Sequence, residues 1–251
     1  MSGRSVAYVW LVACLLLAGF RAHGQDLGYQ APWSSYDFLQ DQRWSQINNR
    51  VLNDRLAIGN RSLQRGKGST STAGKSSTSK QADRSIKAAA LQLGPTASTD
   101  FSNIRDAIAR TQFSDAQVAK VFKIYALAAQ SLDVPANDTA SGVAAYLAGT
   151  YAGYTNKPFP DAMYKPLYEQ FARVMSNDAG HAKQSRAKRV EMYQRLVLTG
   201  MVFQLAQLDL QARPDASEQA AMREAARQAF QRMAGISPDK VRFTANGMEA
   251  R

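Results

Sequence analysis

Several sets of residues have types and spacings that chemistry could use. His181 stands in the turn-like stretch Asn177-Asp178-Ala179-Gly180-His181. A histidine can serve as a general base wherever the fold brings a nucleophile and a carboxylate to it, because such triads are defined by geometry. No nucleophile-elbow sequence accompanies it, and no second His or Cys lies near enough in sequence to complete a metal site. It is expected to be a solvated turn residue. Glu169 and Glu191 could pair across two helices as the acid and base of a hydrolase. Each has basic neighbours (Lys165 and Arg173; Lys188 and Arg195), so ordinary ion pairs along a helix face explain them as well. Tyr125, Tyr146, Tyr151 and Tyr154 could line a small pocket, although aromatic residues at helical spacing usually belong to a core.

Two nucleotide- or acyl-type motifs fail on inspection. Gly68 to Ser76 nearly spells a P-loop, but five residues separate its glycines where the motif needs four. No apolar strand precedes it and no apolar helix follows, so nothing would aim backbone amides at a phosphate. The quartets Ser77 to Lys80 and Ser237 to Lys240 have the Ser-x-x-Lys spacing of penicillin-recognising enzymes. The first lies in low-complexity sequence and the second contains Pro238. Neither has the partner motifs. No catalytic, cofactor-binding or metal-ligating residue is assigned.

The elements that would position these residues are helices. Asp100 or Ser102 can start a first helix through Phe101, Ile104 and Ile108. Ser114-Asp115-Ala116-Gln117 has the form of a capping box. Val118, Val121, Phe122, Tyr125, Ala129 and Leu132 then mark one face of a helix that Pro135 ends. Asn137 or Asp138 caps the next helix, to about Tyr154. That helix carries Ser141, Ala145, Gly149 and Gly153, a small residue every four, where another helix can approach closely. Tight packing inside the core is the expected use; self-association through an exposed stripe is the alternative. Leu167, Phe171 and Val174 mark a further helix with Pro166 near its first turn. The longest helix is expected from about Ala182 to Ala212. It is apolar on nearly every side from Leu196 to Leu210, as a central helix would be. A last helix, about 216–234, ends at Gly235 with Ile236 as its hydrophobic contact, in the form of a Schellman motif. Val241 to Thr244 alternates and is expected to lie extended on the bundle.

The N-terminal part reads differently. Arg4, an apolar run from Val6 to Phe20 and Ala22-His23-Gly24 form a signal-peptide pattern, with cleavage expected before Gln25. The run has 15 residues, fewer than the ~20 of a spanning helix. Leu11 to Cys14 resembles a lipobox, but the apolar run continues to Phe20. Cys14 and His23 would leave with the signal, so the mature chain would be held by its core, without disulfides. Residues 25–60 contain one amphipathic helix, roughly 36–58. Trp44, Ile47, Arg50, Val51 and Arg55 are its candidate partner-binding residues, either against the main domain or against a partner or anionic surface. Residues 61–97 form a low-complexity linker, Gly/Ser/Thr-rich through residue 85, where its span is roughly 25–30 Å. Of the formal charge of +11, much falls between residues 41 and 87, which hold ten basic and three acidic residues. A basic arm invites nucleic acid, yet it lacks the interleaved aromatics that stack bases. Export favours an envelope protein or an anionic envelope surface.

These readings give an all-α protein: a single bundle of about five to six helices around a central buried helix, spanning residues 98–251. A signal peptide, one amphipathic helix and a flexible basic tether precede it. The Asn137-Asp138-Thr139-Ala140 helix start, the Tyr/Gly-rich helix after it, Glu191 to Gly200 and the ending Met233-Ala234-Gly235-Ile236-Ser237-Pro238-Asp239 resemble an uncharacterised family of exported bacterial helical proteins. The likeness covers roughly 98–247. It implies export and an α-fold, and it carries no catalytic residue across. The expected role is that of an exported binding or scaffold protein of the envelope, acting through protein or anionic-surface contacts. A small exported hydrolase with a carboxylate pair is the alternative. No cofactor is expected, and no transmembrane segment after signal cleavage.

Overall fold

The computed structural model describes residues 91–111 and 113–251. The expected signal peptide, the partner-binding residues Trp44, Ile47, Arg50, Val51 and Arg55, the near-P-loop and the first Ser-x-x-Lys quartet lie outside the described residues. Within them the chain is mostly helical. The α-helices are α1 (Arg105–Thr111), α2 (Asp115–Ser131), α3 (Thr139–Thr155), α4 (Asp161–Ser176), α5 (Ala179–Ala182), α6 (Arg186–Ala212) and α7 (Ala216–Ala234). A two-stranded antiparallel hairpin follows, β1 (Val241–Thr244) and β2 (Gly247–Ala250).

Local signals set most helix ends. At α2 the Ser114 side chain accepts from the Gln117 N–H and the Gln117 side chain accepts from the Ser114 N–H, a complete capping box. Asp138, Asp178, Ser185 and Asp215 cap α3, α5, α6 and α7 through their side-chain oxygens. Gly235 ends α7 at φ 69°, and its N–H bonds the Gln231 carbonyl. That bond is the single 5→1 contact of the αL cap rather than the expected Schellman pair. Two boundaries differ from the sequence reading. The longest helix starts at Arg186, because Ser185 caps it and leaves α5 as a separate turn. Pro166 lies inside α4, beyond its first turn.

The centre of the bundle is a crossing of α3 and α6. Residues 196–203 of α6 are all buried, as expected of a helix that is apolar all round. Helix α3 shares that position, with fourteen of its seventeen residues buried. The small-residue stripe lies at the crossing. A Cβ on Gly149 would stand 2.6 Å from the Gly200 carbonyl carbon and closer still to its oxygen. A Cβ on Gly200 would stand 2.6 Å from the Ala145 carbonyl carbon, again with the oxygen nearer. Backbone meets backbone there, so neither position has room for a methyl. Self-association through an exposed 141–153 stripe is thereby overturned: Ser141, Ala145, Gly149 and Gly153 are all buried within the chain.

Two apolar clusters flank the crossing. One joins α3, α4, α7 and the hairpin around Tyr146, Phe171 and Phe230. The other joins residues 93–108, α2 and α6 around Phe122, Tyr193 and Val197. The hairpin holds on through Gln170 of α4, which is buried. Its Oε1 accepts from the Met248 N–H at 2.7 Å and its Nε2 donates to the Met248 carbonyl at 3.0 Å. This one amide does for β2 what a neighbouring strand would do.

The linker boundary is corrected. Leu91, Leu93 and Ala97, expected in the low-complexity linker, are buried. The Leu93 N–H donates to the Asn137 carbonyl and the Thr139 N–H to the Leu91 carbonyl, at 3.0 and 3.1 Å. Arg186 donates to the Leu93 carbonyl, and Gln194 donates to the carbonyls of Ala97 and Asp100. The packed body therefore includes residues from Leu91 on. The sequence hid this because the ordered partners of 91–97 lie 44 to 97 positions later in the chain.

Candidate functional site

Most of the residues whose chemistry the sequence singles out hold the structure together. Glu169 faces Arg173 at 3.9 Å, and Glu191 faces Arg195 at 3.0 Å, each one helical turn along. Arg195 also holds Asp106 through both carboxylate oxygens, which ties α1 to α6. Three of the four tyrosines are structural. The Tyr146 hydroxyl donates to the Ala229 carbonyl at 3.1 Å. Tyr151 packs edge-on against Phe243 of the hairpin at 4.8 Å. Tyr154 lies beneath the Arg223 guanidinium at 5.0 Å. Of the second Ser-x-x-Lys quartet, Ser237 donates its hydroxyl proton to Asp239, and its carbonyl accepts from the Lys240 backbone N–H at 3.0 Å.

His181 is not a solvated turn residue. It is buried, and its Nε2 has no hydrogen-bond partner. Burial, aided by the nearby Arg189 charge, lowers its pKa to about 4, with Asp178 opposing. The imidazole is therefore neutral across the physiological range. Its placement in the last turn of α5, close to Arg189 of α6, could not be seen from a turn-like sequence.

Asp138 is a buried carboxylate among the described residues. It caps α3 through Oδ1, which accepts from Ala140 at 2.7 Å and Ser141 at 3.4 Å. Its Oδ2 accepts from Gln92 Nε2 at 3.1 Å. Burial nevertheless raises its pKa to about 6, and the two backbone bonds only partly offset that.

A concave feature of the described residues lies where the two apolar clusters meet. A cleft with a cavity volume of about 50 Å³ opens between α2, α3, the start of α4 and α6. Ile124, Leu132, Ala148, Phe159, Met201 and Leu205 form its apolar wall. The residues at its mouth are positioned by helix ends. Leu132 closes α2, and Asp161 opens α4 after Pro160. Tyr125 of α2 and Tyr164 of α4 line it as well. Burial raises both phenols far above their usual range, so both remain protonated. The Tyr125 hydroxyl approaches Ser141 and Tyr164 but has no partner in hydrogen-bond geometry. Ser131, Gln204 and Asp161 supply the remaining polar groups. Sequence reasoning found Tyr125 and missed Tyr164, Asp161 and Gln204. Their convergence depends on how α2, α4 and α6 pack, which spacing within one helix does not encode.

Among the described residues, no cluster of three or more His, Cys, Asp or Glu could hold a metal ion. No described helix is long and apolar enough to cross a membrane. The arrangement is a small apolar recess with a few polar groups at its edge.

No curated protein and no solved structure matches the chain. A family model does match, from residue 5 to residue 251, so the likeness extends beyond the packed body into the N-terminal part. The chain belongs to DUF6683, a family of unknown function.

Proposed function

We propose that the protein acts by binding, as an exported helical protein of the bacterial cell envelope. In this reading it is not an enzyme. The body receives an apolar group in the cleft between α2, α3, α4 and α6. The basic segment around Trp44, Ile47, Arg50, Val51 and Arg55 contacts an envelope protein or an anionic surface. The observation that carries the reading is the cleft, an apolar recess set against the rigid α3–α6 crossing. The two carboxylates that a hydrolase would need support it too, since both are engaged by arginines.

In-cell crosslinking with mass spectrometry tests the arm. The full chain is compared with a chain lacking residues 25–60. An envelope protein is expected to be captured by the full chain and lost on deletion. An unchanged catch would show that the arm does not dock.

A further inference from the structure

The cleft described above has an uneven charge. Asp161 is the one charged residue among the described residues that line it. It stands at the open mouth, where the residue as a whole is exposed. Its carboxyl is nevertheless partly desolvated, which raises its pKa, and among the described residues no charged side chain offsets that. The neighbouring cation on α4, Lys165, is engaged by Asp133. A partly desolvated carboxylate without a counter-charge is relieved by a bound cation and opposed by a bound anion. Its position at the start of α4 suits a carboxylate by the helix dipole. The dipole does not account for the apolar recess beside it.

Size narrows the ligand further. The cavity volume is about 50 Å³. An apolar cavity that accepts benzene is about 150 Å³. The enclosed part therefore admits a short alkyl chain rather than a ring. Beside the mouth, α2 also presents Leu127, the exposed large hydrophobic residue of the described body, three positions after Ile124 and four before Ser131.

We propose that the cleft binds a primary alkylammonium ion. The alkyl chain lies along Ile124, Leu132, Ala148, Met201 and Leu205. The ammonium sits at the Asp161 carboxylate. Its three N–H donors need further acceptors, and the Ser131 hydroxyl and the Gln204 amide oxygen supply them. This assignment rests on reading the cleft as a binding seat.

The test titrates the full chain by NMR at pH 7 and low salt. The probes are n-butylamine, n-butanol and butyrate, with N-acetyl-lysine-N-methylamide as the peptide-borne form of the same group. Wild type is expected to bind n-butylamine at least about tenfold more tightly than n-butanol, a difference of about 1.4 kcal/mol, and butyrate most weakly. Asp161→Asn should bring n-butylamine down to the level of n-butanol. Leu205→Trp, at a half-buried position on the wall, should abolish binding of both, with its thermal unfolding confirming that it folds. Equal binding of n-butylamine and n-butanol, or no effect of Asp161→Asn, overturns the alkylammonium assignment and leaves the cleft as a seat. No binding of any probe by wild type overturns both. Tighter binding of the blocked lysine than of n-butylamine upholds the chemistry and assigns its source to a peptide side chain.

Discussion

Asp138 and His181 are both buried, and burial moves their pKa values in opposite senses. For Asp138 the folded value, about 6, lies above the ordinary 3.8. Its protonated form is favoured in the fold, so its contribution to stability is lost as pH rises from about 4 through about 6. For His181 the folded value, about 4, lies below the ordinary 6.5. Its neutral form is favoured, so stability is lost as pH falls from about 6.5 toward 4. The two oppose each other in the same window. Asp138→Asn separates them. Asn caps a helix about as well as Asp, and Gln92 can turn its amide to meet the new NH2. Relative to its value at pH 4, the stability of the variant should gain on wild type by pH 7. The gain is about 2 kcal/mol, taking 1.36 kcal/mol per pKa unit over the part of the shift that falls between the two pH values. Urea unfolding at both pH values measures it. A constant difference would show that Asp138 is ionised in the fold at no cost.

At the scale of elements, the α3–α6 crossing depends on glycine at two facing positions. Gly149 and Gly200 are each closed by the backbone of the other helix. Backbone cannot move aside as a side-chain end can, so a methyl must push the helices apart along their whole contact. Gly149→Ala should destabilise the protein by about 3 kcal/mol or more, the upper range of overpacking. Gly153→Ala meets the Phe203 ring at 3.0 Å and the Ala226 methyl at 3.2 Å, and should cost less. Thermal unfolding of the two variants gives the ranking. Equal midpoints would mean that the crossing is looser than its geometry. The small-residue stripe was legible in the sequence because its period is local. That its partner would be Gly200, itself in an apolar run, was not.

For the whole molecule, the body begins at or before Leu91. A chain lacking residues 25–85 should unfold at nearly the wild-type temperature. One lacking residues 25–97 should lose several degrees, because it forfeits the buried Leu91, Leu93 and Ala97, removes the Leu93 carbonyl from Arg186 and leaves Gln194 only that of Asp100. Equal midpoints for the two would place the boundary at residue 98. Calorimetry on the pair decides it.

The sequence by itself determined the all-α class, the starts of α2 and α3, both ends of α7 and the buried character of residues 196–203. Those follow from capping chemistry and from a hydrophobic period of 3.6, which act within a few residues of chain. Ser114 to Gln117, Asp138 and Gly235 were readable for that reason. Only the tertiary structure decided that His181 is buried, that residues 91–97 are strapped to α6, and that Tyr125, Tyr164 and Asp161 share a cleft. Each of these depends on contacts between segments far apart in the chain, and no local pattern specifies such a contact.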